Sequence, residues 1–377
     1  MKWPIEVDAR SAVLGMPAST FLKRYWQKQP VLIRNAFSDF TCPITPNDLA
    51  GLATLDSAPS RIVRYQRKSD RWAVSTGPFA DDAFAKLGSR DWTLLVQDVD
   101  KHDDDVRALL DRFAFVPSWR LDDVMISYAV PGGSVGAHID RYDVFLLQGQ
   151  GTRRWEIDVS PNPDERFRDD APIKLLRSFK ATHAFDVRPG DMLYLPPNVP
   201  HHGVAVDECL TLSIGMRAPG GAELLATLGG ELLQGSDALR YSDADLRERV
   251  SPSEIVNDDV RRLRQTLAQT TALDDDALGD FFARFLSQYR QSVAPKPRRK
   301  APDLTPSTRW QPAIRLNWRQ SQASVRLYGD GCSLACSERV ARCACGEADF
   351  AWITEANSAE RAALLDIWKR GWVQACR

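Results

Sequence analysis

Apolar positions in the N-terminal part of the chain follow mostly the two-residue period of β-strands. From about Ile62 to Arg217, short apolar runs are separated by turn residues such as Pro-Gly-Gly, Gly-Gln-Gly and Pro-Gly-Asp. This pattern predicts short strands joined by tight turns, with one helical interruption near Lys101 to Phe113. Strands of this spacing are typical of a double-sheet jelly roll.

A short helix and a buried strand are predicted ahead of this region. Ser19 precedes apolar residues at helical spacing, namely Phe21, Leu22, Tyr25 and Trp26. Ser19 is therefore the predicted N-cap of a helix. The run Pro30-Val31-Leu32-Ile33-Arg34 then predicts a buried strand.

After Pro219 the apolar spacing becomes helical. The last helix of this block is predicted from a stripe of large apolar residues: Leu278, Phe281, Phe282, Phe285, Leu286 and Tyr289. Such a stripe needs a cover, because it is too apolar for a solvated surface. The jelly roll, another helix and a second subunit are equally compatible covers.

The remaining chain is predicted to contain a linker and a small module. Residues 294–312 are rich in proline and basic residues and predict a semi-rigid extended linker. Its charge run from Lys296 to Lys300 is either a solvated linker or a contact for RNA or an acidic partner. We therefore expect an α+β chain with a catalytic domain at 1–218, a helical region at 219–293, the linker at 294–312 and an α+β module at 313–377.

Composition narrows the class of protein. The 377 residues carry 49 Lys+Arg and 50 Asp+Glu, a formal net charge of -1, so the whole molecule has no signature of a general nucleic-acid or membrane binder. No apolar run approaches the roughly 18 residues of a membrane span, and the first residues lack a signal-peptide core. We expect a cytoplasmic protein.

Seven cysteines, an odd number, favour reduced thiols. Four of them lie close together in sequence: Cys332, Cys336, Cys343 and Cys345. A zinc site is one interpretation, but C-x3-C and C-x-C are not the usual paired C-x2-C spacing. The favoured interpretation is a β-hairpin in which the small apolar thiols are strand residues.

The candidate chemistry lies in the strand-rich region. In the run His138-Ile139-Asp140, residues 138 and 140 share one face of an extended chain, so two ligands point the same way. Two imidazoles and one carboxylate form the facial triad that holds non-haem Fe(II). The third ligand is expected from Pro200-His201-His202-Gly203, where His201 and His202 remain alternatives. His102 and His183 are interpreted as structural.

An Fe(II) oxygenase of this kind usually uses 2-oxoglutarate, whose far carboxylate needs a buried cation. Arg153 and Arg154 are the candidates, and only one of two adjacent strand residues can point inward. Ser127 is a further candidate for cofactor contact. The residues that follow the H-x-D pair are candidates for the mouth of the site: Arg141, Tyr142 and Asp143.

Three segments resemble a known family. FLKRYWQKQPVLIRNAF, DDVMISYAVPGGSVGAHIDRYDVFLLQGQGTRRWEI and PGDMLYLPPNVPHHGVA with the following LTLSIGMRAP are similar to the JmjC-type ribosomal oxygenases, in particular the bacterial arginine hydroxylases of large-subunit ribosomal protein sixteen. The resemblance implies a cupin/JmjC jelly roll, a helical dimerisation region and a winged-helix-like C-terminal module. It also implies that His138, Asp140 and His201 hold iron and that Arg153 rather than Arg154 binds 2-oxoglutarate. His202 departs from the family, which often has an acidic residue there.

The expected function is therefore an Fe(II)- and 2-oxoglutarate-dependent protein hydroxylase. The resemblance implies a homodimer acting on the β-carbon of an arginine in a large-subunit ribosomal protein, with Tyr142 as a candidate to seat the guanidinium. A histidine hydroxylase or a lysine demethylase on the same fold is the first alternative. A catalytically silent ribosome-binding or assembly-binding protein is the second, although it has no need for His138, Asp140, His201 and Arg153 together.

Overall fold

The computed structural model describes residues 4–9, 13–234, 239–248, 251, 253–288, 296–300, 302–322 and 324–375. The chain forms two compact units, Met1–Ala218 and Pro219–Arg377. Among the described residues, no helix is long and apolar enough to cross a membrane.

The N-terminal unit is built mainly from strands, and its short α-helices lie before residue 109. Its helices are α1 (Ala18–Arg24), α2 (Pro46–Leu52) and α3 (Asp104–Ala108). Its strands are β1 (Glu6–Asp8), β2 (Val31–Arg34), β3 (Ser60–Gln66), β4 (Arg71–Thr76), β5 (Trp92–Val96), β6 (Leu121–Ala129), β7 (Val144–Gln150), β8 (Arg153–Ile157), β9 (His183–Val187), β10 (Met192–Leu195), β11 (His201–Ala205) and β12 (Cys209–Met216).

These strands form two sheets. The larger has the order β1-β2-β10-β7-β12-β6-β5-β3-β4, and the smaller has the order β11-β8-β9. Every pair is antiparallel except β1 with β2. The predicted jelly roll is confirmed, because strands distant in sequence lie side by side as this fold requires.

Alternation of side chains divides the N-terminal unit into two apolar layers. One face of the larger sheet packs with α1 and α2 into the main core, which includes Phe21, Leu49 and Phe145. The next positions along β7 point the other way, and Val144 and Leu146 pack with residues of the smaller sheet. Because one strand feeds both layers, the space between the two sheets is lined by every second residue.

The C-terminal unit combines helices with two small sheets. Its helices are α4 (Gly221–Gln234), α5 (Asn257–Thr270), α6 (Asp275–Gln288), α7 (Glu338–Ala344) and α8 (Ser358–Lys369). Its strands are β13 (Trp310–Pro312), β14 (Leu316–Gln320), β15 (Val325–Gly329), β16 (Cys332–Cys336) and β17 (Val373–Ala375). Strands β14, β15 and β16 form one antiparallel sheet, and β13 pairs with β17.

Most of the apolar stripe of α6 is covered within its own unit, although Leu278 near the start of the helix is exposed. Phe281, Phe285 and Leu286 are buried, and the helix contacts β14, β15 and β16. The Asn317 amide donates to the carbonyl of Ala283 at 3.2 Å. The sequence alone did not show what covers this stripe. In the structure it is the sheet of β14, β15 and β16, which follows α6 in the chain. Tyr289, the last residue of the predicted stripe, lies outside the described residues.

Two local predictions are wrong in detail. Helix α1 begins at Ala18 with Pro17 in the N-cap position, so Ser19 lies inside the first turn and caps nothing. The hairpin predicted for the cysteine cluster holds only for Cys332 and Cys336, which lie in β16. Cys343 belongs to α7 and Cys345 caps its C-terminus, because a second helical segment follows the hairpin directly.

Candidate active site

Three side chains predicted as ligands lie together in the N-terminal unit. The ligand atoms of His138, Asp140 and His201 all lie within 4.8 Å of one another. Asp140 Oδ2 is 3.9 Å from His138 Nε2 and 3.6 Å from His201 Nε2. Within the described part of the chain, no other group of three or more His, Cys, Asp or Glu side chains is clustered in this way.

The backbone fixes the spacing of the two histidines. His138 lies between β6 and β7 and forms an isolated antiparallel bridge with His201, the first residue of β11. Each amide donates to the carbonyl of the other residue at 3.0 Å. This single bridge therefore holds His138 against β11, and His138 is not the last residue of a strand. His138 and Asp140 still point to the same side, as the two-residue alternation predicted, because their ligand atoms belong to one cluster.

Both imidazoles are oriented by backbone carbonyls. Nδ1 of His138 lies 2.9 Å from the carbonyl of Gly136, and Nδ1 of His201 lies 2.9 Å from the carbonyl of Val199. A carbonyl accepts only, so each ring carries its proton on Nδ1 and leaves a lone pair on Nε2. These are the nitrogens that face Asp140, and this arrangement is the one a metal-binding histidine requires.

Burial keeps the inner histidine neutral. His201 is 2% exposed, and burial together with the neighbouring His138 lowers its pKa below the ordinary value. A neutral imidazole with a free Nε2 is a ligand for a cation, whereas an imidazolium is not.

His202 points to the opposite face of β11. Its Nδ1 lies 3.7 Å from Glu156 Oε2, and its ring lies edge-on to Phe179 at 6.1 Å between centroids. The two alternatives for the third ligand are thus separated by strand alternation. The structure places His201 in the cluster and His202 outside it.

The same alternation separates the two candidate arginines on β8. Arg153 is 3% exposed and lies on the inner face with Trp155 and Ile157. Its guanidinium carbon lies 5.3 Å from the centre of the Trp155 ring, which in turn lies 5.9 Å from that of His201. Arg154 faces outward and forms an ion pair with Asp186 at 3.1 Å.

Arg153 is a buried cation without a carboxylate partner among the described residues. Nη1 donates to Ser127 Oγ at 3.4 Å and Nη2 donates to the carbonyl of Gly203 at 3.3 Å, both long distances. Its Nε has no hydrogen-bond partner. Burial lowers the pKa of this guanidinium, and only the Cys209 thiol acts in the other direction. A buried charge with unused donors fits an anionic ligand that brings its own carboxylate.

A polar group beside Arg153 was not predicted from the sequence. Thr211 donates to Gln148 Oε1 at 3.0 Å, and Gln148 and Arg153 both lower the pKa of the nearby Cys209 thiol against the larger effect of burial. All of these side chains are buried. They lie in apolar strand sequence, where a single polar residue gives little signal. The signal in the sequence is strand alternation, which places these side chains on the same face of the sheet as Ser127, because β12 pairs with both β6 and β7.

The mouth residues behave differently from one another. Tyr142 is 43% exposed, and its pKa is raised by burial of the hydroxyl and by the carboxylates of Asp140, Asp123 and Asp122. Exposed Arg141 donates to Asn198 Oδ1 at 2.6 Å.

Asp143 does not line the mouth, although the sequence suggested that it would. It is fully buried and accepts hydrogen bonds from Tyr194 at 2.6 Å, Arg120 at 2.8 Å and Gln27 at 2.9 Å. Its parity places it opposite Tyr142. The side chain is a structural anchor that joins three separate parts of the N-terminal unit.

The residues outside the cluster occupy ordinary structural positions. Nε2 of His102 lies 3.2 Å from the Ser57 carbonyl. The Cys343 thiol donates to the carbonyl of Asp349 at 3.0 Å. Burial raises the pKa of Cys336 to about 11, which keeps that thiol protonated. Among the described residues, the four neighbouring cysteines form no metal-binding cluster.

A jelly roll whose interior gathers two histidines, a carboxylate and a buried arginine defines the JmjC type of cupin. A JmjC domain model matches residues 108–224. The chain is 36% identical over 318 residues to the ribosomal protein uL16 3-hydroxylase of Escherichia coli (strain K12), covering 82% of this chain and 80% of the relative. It is 34% identical over 258 residues to a probable ribosomal oxygenase of Haemophilus influenzae, covering 67% of this chain and 63% of the relative.

Solved structures agree with these relatives. The X-ray structure of Escherichia coli YcfD superposes with a TM-score of 0.83 at 30% identity and covers 96% of this chain and 99% of that chain. A second structure of that ribosomal oxygenase, in complex with cobalt and 2-oxoglutarate, superposes with a TM-score of 0.79 at 30% identity and the same coverage. The chain belongs to the JmjC ribosomal oxygenase family of enzymes. The predicted family and fold class are confirmed.

Proposed function

We propose that the protein is an Fe(II)- and 2-oxoglutarate-dependent hydroxylase of an arginine side chain, at the β-carbon, in a large-subunit ribosomal protein. One observation carries the proposal. The unpaired buried guanidinium of Arg153 shares an interior with His138, Asp140 and His201, so the site offers a place for a dicarboxylate beside a place for a metal ion.

His138, Asp140 and His201 are the proposed metal ligands. Two imidazoles and one carboxylate occupy one face of the site and are the donor set of non-haem Fe(II) oxygenases. With 2-oxoglutarate and oxygen, such an iron ion supplies the oxidising power to hydroxylate a C–H bond. The protein holds the imidazoles in one tautomer through Gly136 and Val199.

Arg153 and Ser127 are the proposed contacts for the far carboxylate of 2-oxoglutarate. The Nε and the two weakly bonded Nη atoms of Arg153 are available to a planar carboxylate. Ser127 Oγ lies beside the same guanidinium, so its hydroxyl can donate to the ligand. The cobalt and 2-oxoglutarate complex of the E. coli relative supports this choice of ligand.

Tyr142 and the neighbouring carboxylates are the proposed seat for the substrate guanidinium. Besides burial and the proposed metal ligand Asp140, the carboxylates of Asp123 and Asp122 raise the pKa of the Tyr142 hydroxyl. Each acts more strongly than the opposing Arg61, so this side of the site is acidic. An acidic rim beside an exposed aromatic ring favours a cationic side chain through ion pairing and cation–π contact. The uL16 3-hydroxylase activity of the E. coli relative supports a ribosomal protein as the substrate.

The proposal includes a homodimer in the cytoplasm, where ribosomal proteins are available. Helix α5 exposes Val260, Leu263 and Leu267, which lie along one side at three- and four-residue spacing. Because α6 is covered by its own sheet, this second stripe is the better candidate for contact with another copy.

Intact-mass analysis of a recombinant ribosomal substrate tests the function. The protein is incubated with Fe(II), 2-oxoglutarate, air and the uL16 homologue or its arginine-containing peptide. We expect a gain of one oxygen, mapped to the β-carbon of an arginine by tandem mass spectrometry, and no gain with His138→Ala. Oxygen on a histidine would favour the first alternative. A protein that takes up no Fe(II) and forms no succinate would be a silent scaffold.

A further inference from the structure

The basic run between the two halves of the C-terminal unit is docked against α8. The amide of Arg298 donates to the carbonyl of Lys369 at 2.9 Å, and Trp368 Nε1 donates to the carbonyl of Lys300 at 2.9 Å. The guanidinium carbon of Arg298 lies 4.1 Å from the centre of the Trp368 ring. These contacts give residues 296–300 a defined path along the end of the helix.

A glycine permits the closest part of this contact. Gly371 has a φ of +71°, a backbone conformation that other residues rarely adopt. A Cβ at this position would lie 2.3 Å from the carbonyl oxygen of Lys296. The chain can therefore pass directly over the turn that ends α8.

Docking joins two basic segments into one surface, here named the basic strip: Lys296, Arg298, Arg299, Lys300, Lys369 and Arg370. Arg370 forms an ion pair with Asp366 at 3.0 Å. No described carboxylate forms an ion pair with the other five. Lys296, Arg299, Lys300 and Lys369 are exposed. The strip is thus a local cationic surface on a chain with a formal net charge of -1.

We propose that the basic strip binds the phosphate backbone of RNA. Several closely spaced cations without carboxylate partners gain affinity by displacing the counterions of a polyphosphate. The Trp368 ring is covered by Arg298 and its N–H is already bonded, so the strip offers no free aromatic face for base stacking. Binding should therefore be independent of sequence and strongly dependent on salt.

The surface fits RNA better than a lipid bilayer. Peripheral membrane segments combine basic residues with large apolar residues that insert below the headgroups. The strip has Pro297 and the covered Trp368 as its apolar groups, and neither is a long exposed side chain. RNA binding goes beyond the proposed hydroxylation and does not depend on it.

Fluorescence anisotropy of the full-length protein with a labelled RNA hairpin tests the proposal. The test variant removes three exposed cations, Lys296→Gln, Arg299→Gln and Lys300→Gln, and keeps Arg298 for its packing. The control removes three exposed cations of the N-terminal unit, Lys68→Gln, Lys86→Gln and Arg90→Gln. We expect the test variant to bind RNA at least about tenfold more weakly, with a salt slope smaller by about two, and the control to match the wild type.

Other outcomes would overturn the inference. Equal RNA binding by the wild type and the test variant would show that the strip is not the site, as would an equal loss in the control. Binding to phosphatidylserine vesicles but not to RNA would assign the strip to a membrane surface. Peptide hydroxylation is measured on the same preparations. We expect it to be unchanged in the test variant, so that a failed hydroxylation assay leaves the RNA result intact.

Discussion

Gly203 and Arg153 approach so closely across β11 and β8 that no side chain fits between them. A Cβ at Gly203 would lie 2.8 Å from Nε of Arg153 and 2.6 Å from the Trp155 ring. Gly203 lies between the inward-facing residues His201 and Ala205. Its missing side chain therefore leaves the space in which the guanidinium rests beside the metal-binding cluster.

Gly203→Ala is expected to displace Arg153 and weaken 2-oxoglutarate binding by about tenfold or more, with a loss of about 1–3 kcal/mol in the free energy of unfolding. Calorimetric titration of the Mn(II)-loaded protein with 2-oxoglutarate measures the first effect, and urea denaturation measures the second. Gly88→Ala is the matched control, because a Cβ there meets nothing within 4 Å. Equal ligand affinity in both variants would contradict the expected role.

The third metal ligand is tested by two adjacent histidines. His201→Ala removes a buried imidazole from the cluster, so we expect at least about a hundredfold loss in Mn(II) or Co(II) affinity. His202→Ala changes only the outer face of β11, where the ring pairs with Glu156, and should retain metal binding. Equilibrium dialysis with metal analysis distinguishes them. The opposite ranking would assign the ligand to His202.

The two arginines of β8 give a similar comparison for the cofactor. Arg153→Gln removes the buried guanidinium, and the loss of a charge-assisted contact worth about 2 kcal/mol corresponds to about thirtyfold weaker 2-oxoglutarate binding. Arg154→Gln breaks an exposed ion pair with Asp186 and should change the affinity little. Titration of the metal-loaded variants with 2-oxoglutarate measures both. The proposal fails if the two variants bind alike.

Acid should weaken the C-terminal unit through Glu360. Arg339 donates two hydrogen bonds to this carboxylate at 2.6 Å, and these lower its pKa from an ordinary value of 4.5 to about 2. A depressed folded-state pKa gives stability that is complete above about pH 4.5 and lost as the pH falls toward 2.

We expect Glu360→Gln to lower the free energy of unfolding by about 1–3 kcal/mol at neutral pH. The difference from the wild type should shrink between pH 4.5 and 2. Urea denaturation followed by tryptophan fluorescence at stepped pH values measures this. A difference that stays constant with pH would show that the ion pair is not its source.

The exposed stripe of α5 is tested by light scattering after gel filtration. Leu263→Glu with Leu267→Glu places two charges on the apolar side, so we expect a dimer to become a monomer. Gln265→Glu, at an exposed position on the opposite side of the same helix, is the control and should stay dimeric. A wild-type monomer, or an intact dimer in the double variant, would contradict the proposed interface.

Much of the fold could be predicted because strand alternation is visible in the sequence. The jelly roll and the pairing of His138 with Asp140 both depend on a two-residue period that survives in the folded chain. The choice between Arg153 and Arg154, or between His201 and His202, could not be made from the same pattern. Strand alternation shows that neighbouring residues face opposite sides of the sheet, but it does not show which side becomes the interior of the jelly roll.

Other features depend on contacts between distant residues. The cover of α6 is a sheet that the sequence places after the linker, and the docking of Arg298 on Trp368 joins segments far apart in the chain. Gln148, Thr211 and Cys209 become a polar group only when β7 and β12 pair. The burial of Asp143 could not be predicted, because its three hydrogen-bond partners come from distant parts of the N-terminal unit.

The backbone bridge between His138 and His201 fixes the two imidazoles independently of the residues at the rim of the site. Because the two histidines are tied through main-chain atoms, their separation is set by β-sheet geometry and not by the residues around them. The exposed residues Arg141 and Tyr142 are then free to change without moving the imidazoles, whereas Asp143 is held by its three hydrogen-bond partners. The same backbone can therefore keep its cluster of metal-binding side chains while the exposed residues at the rim change to fit a different protein substrate.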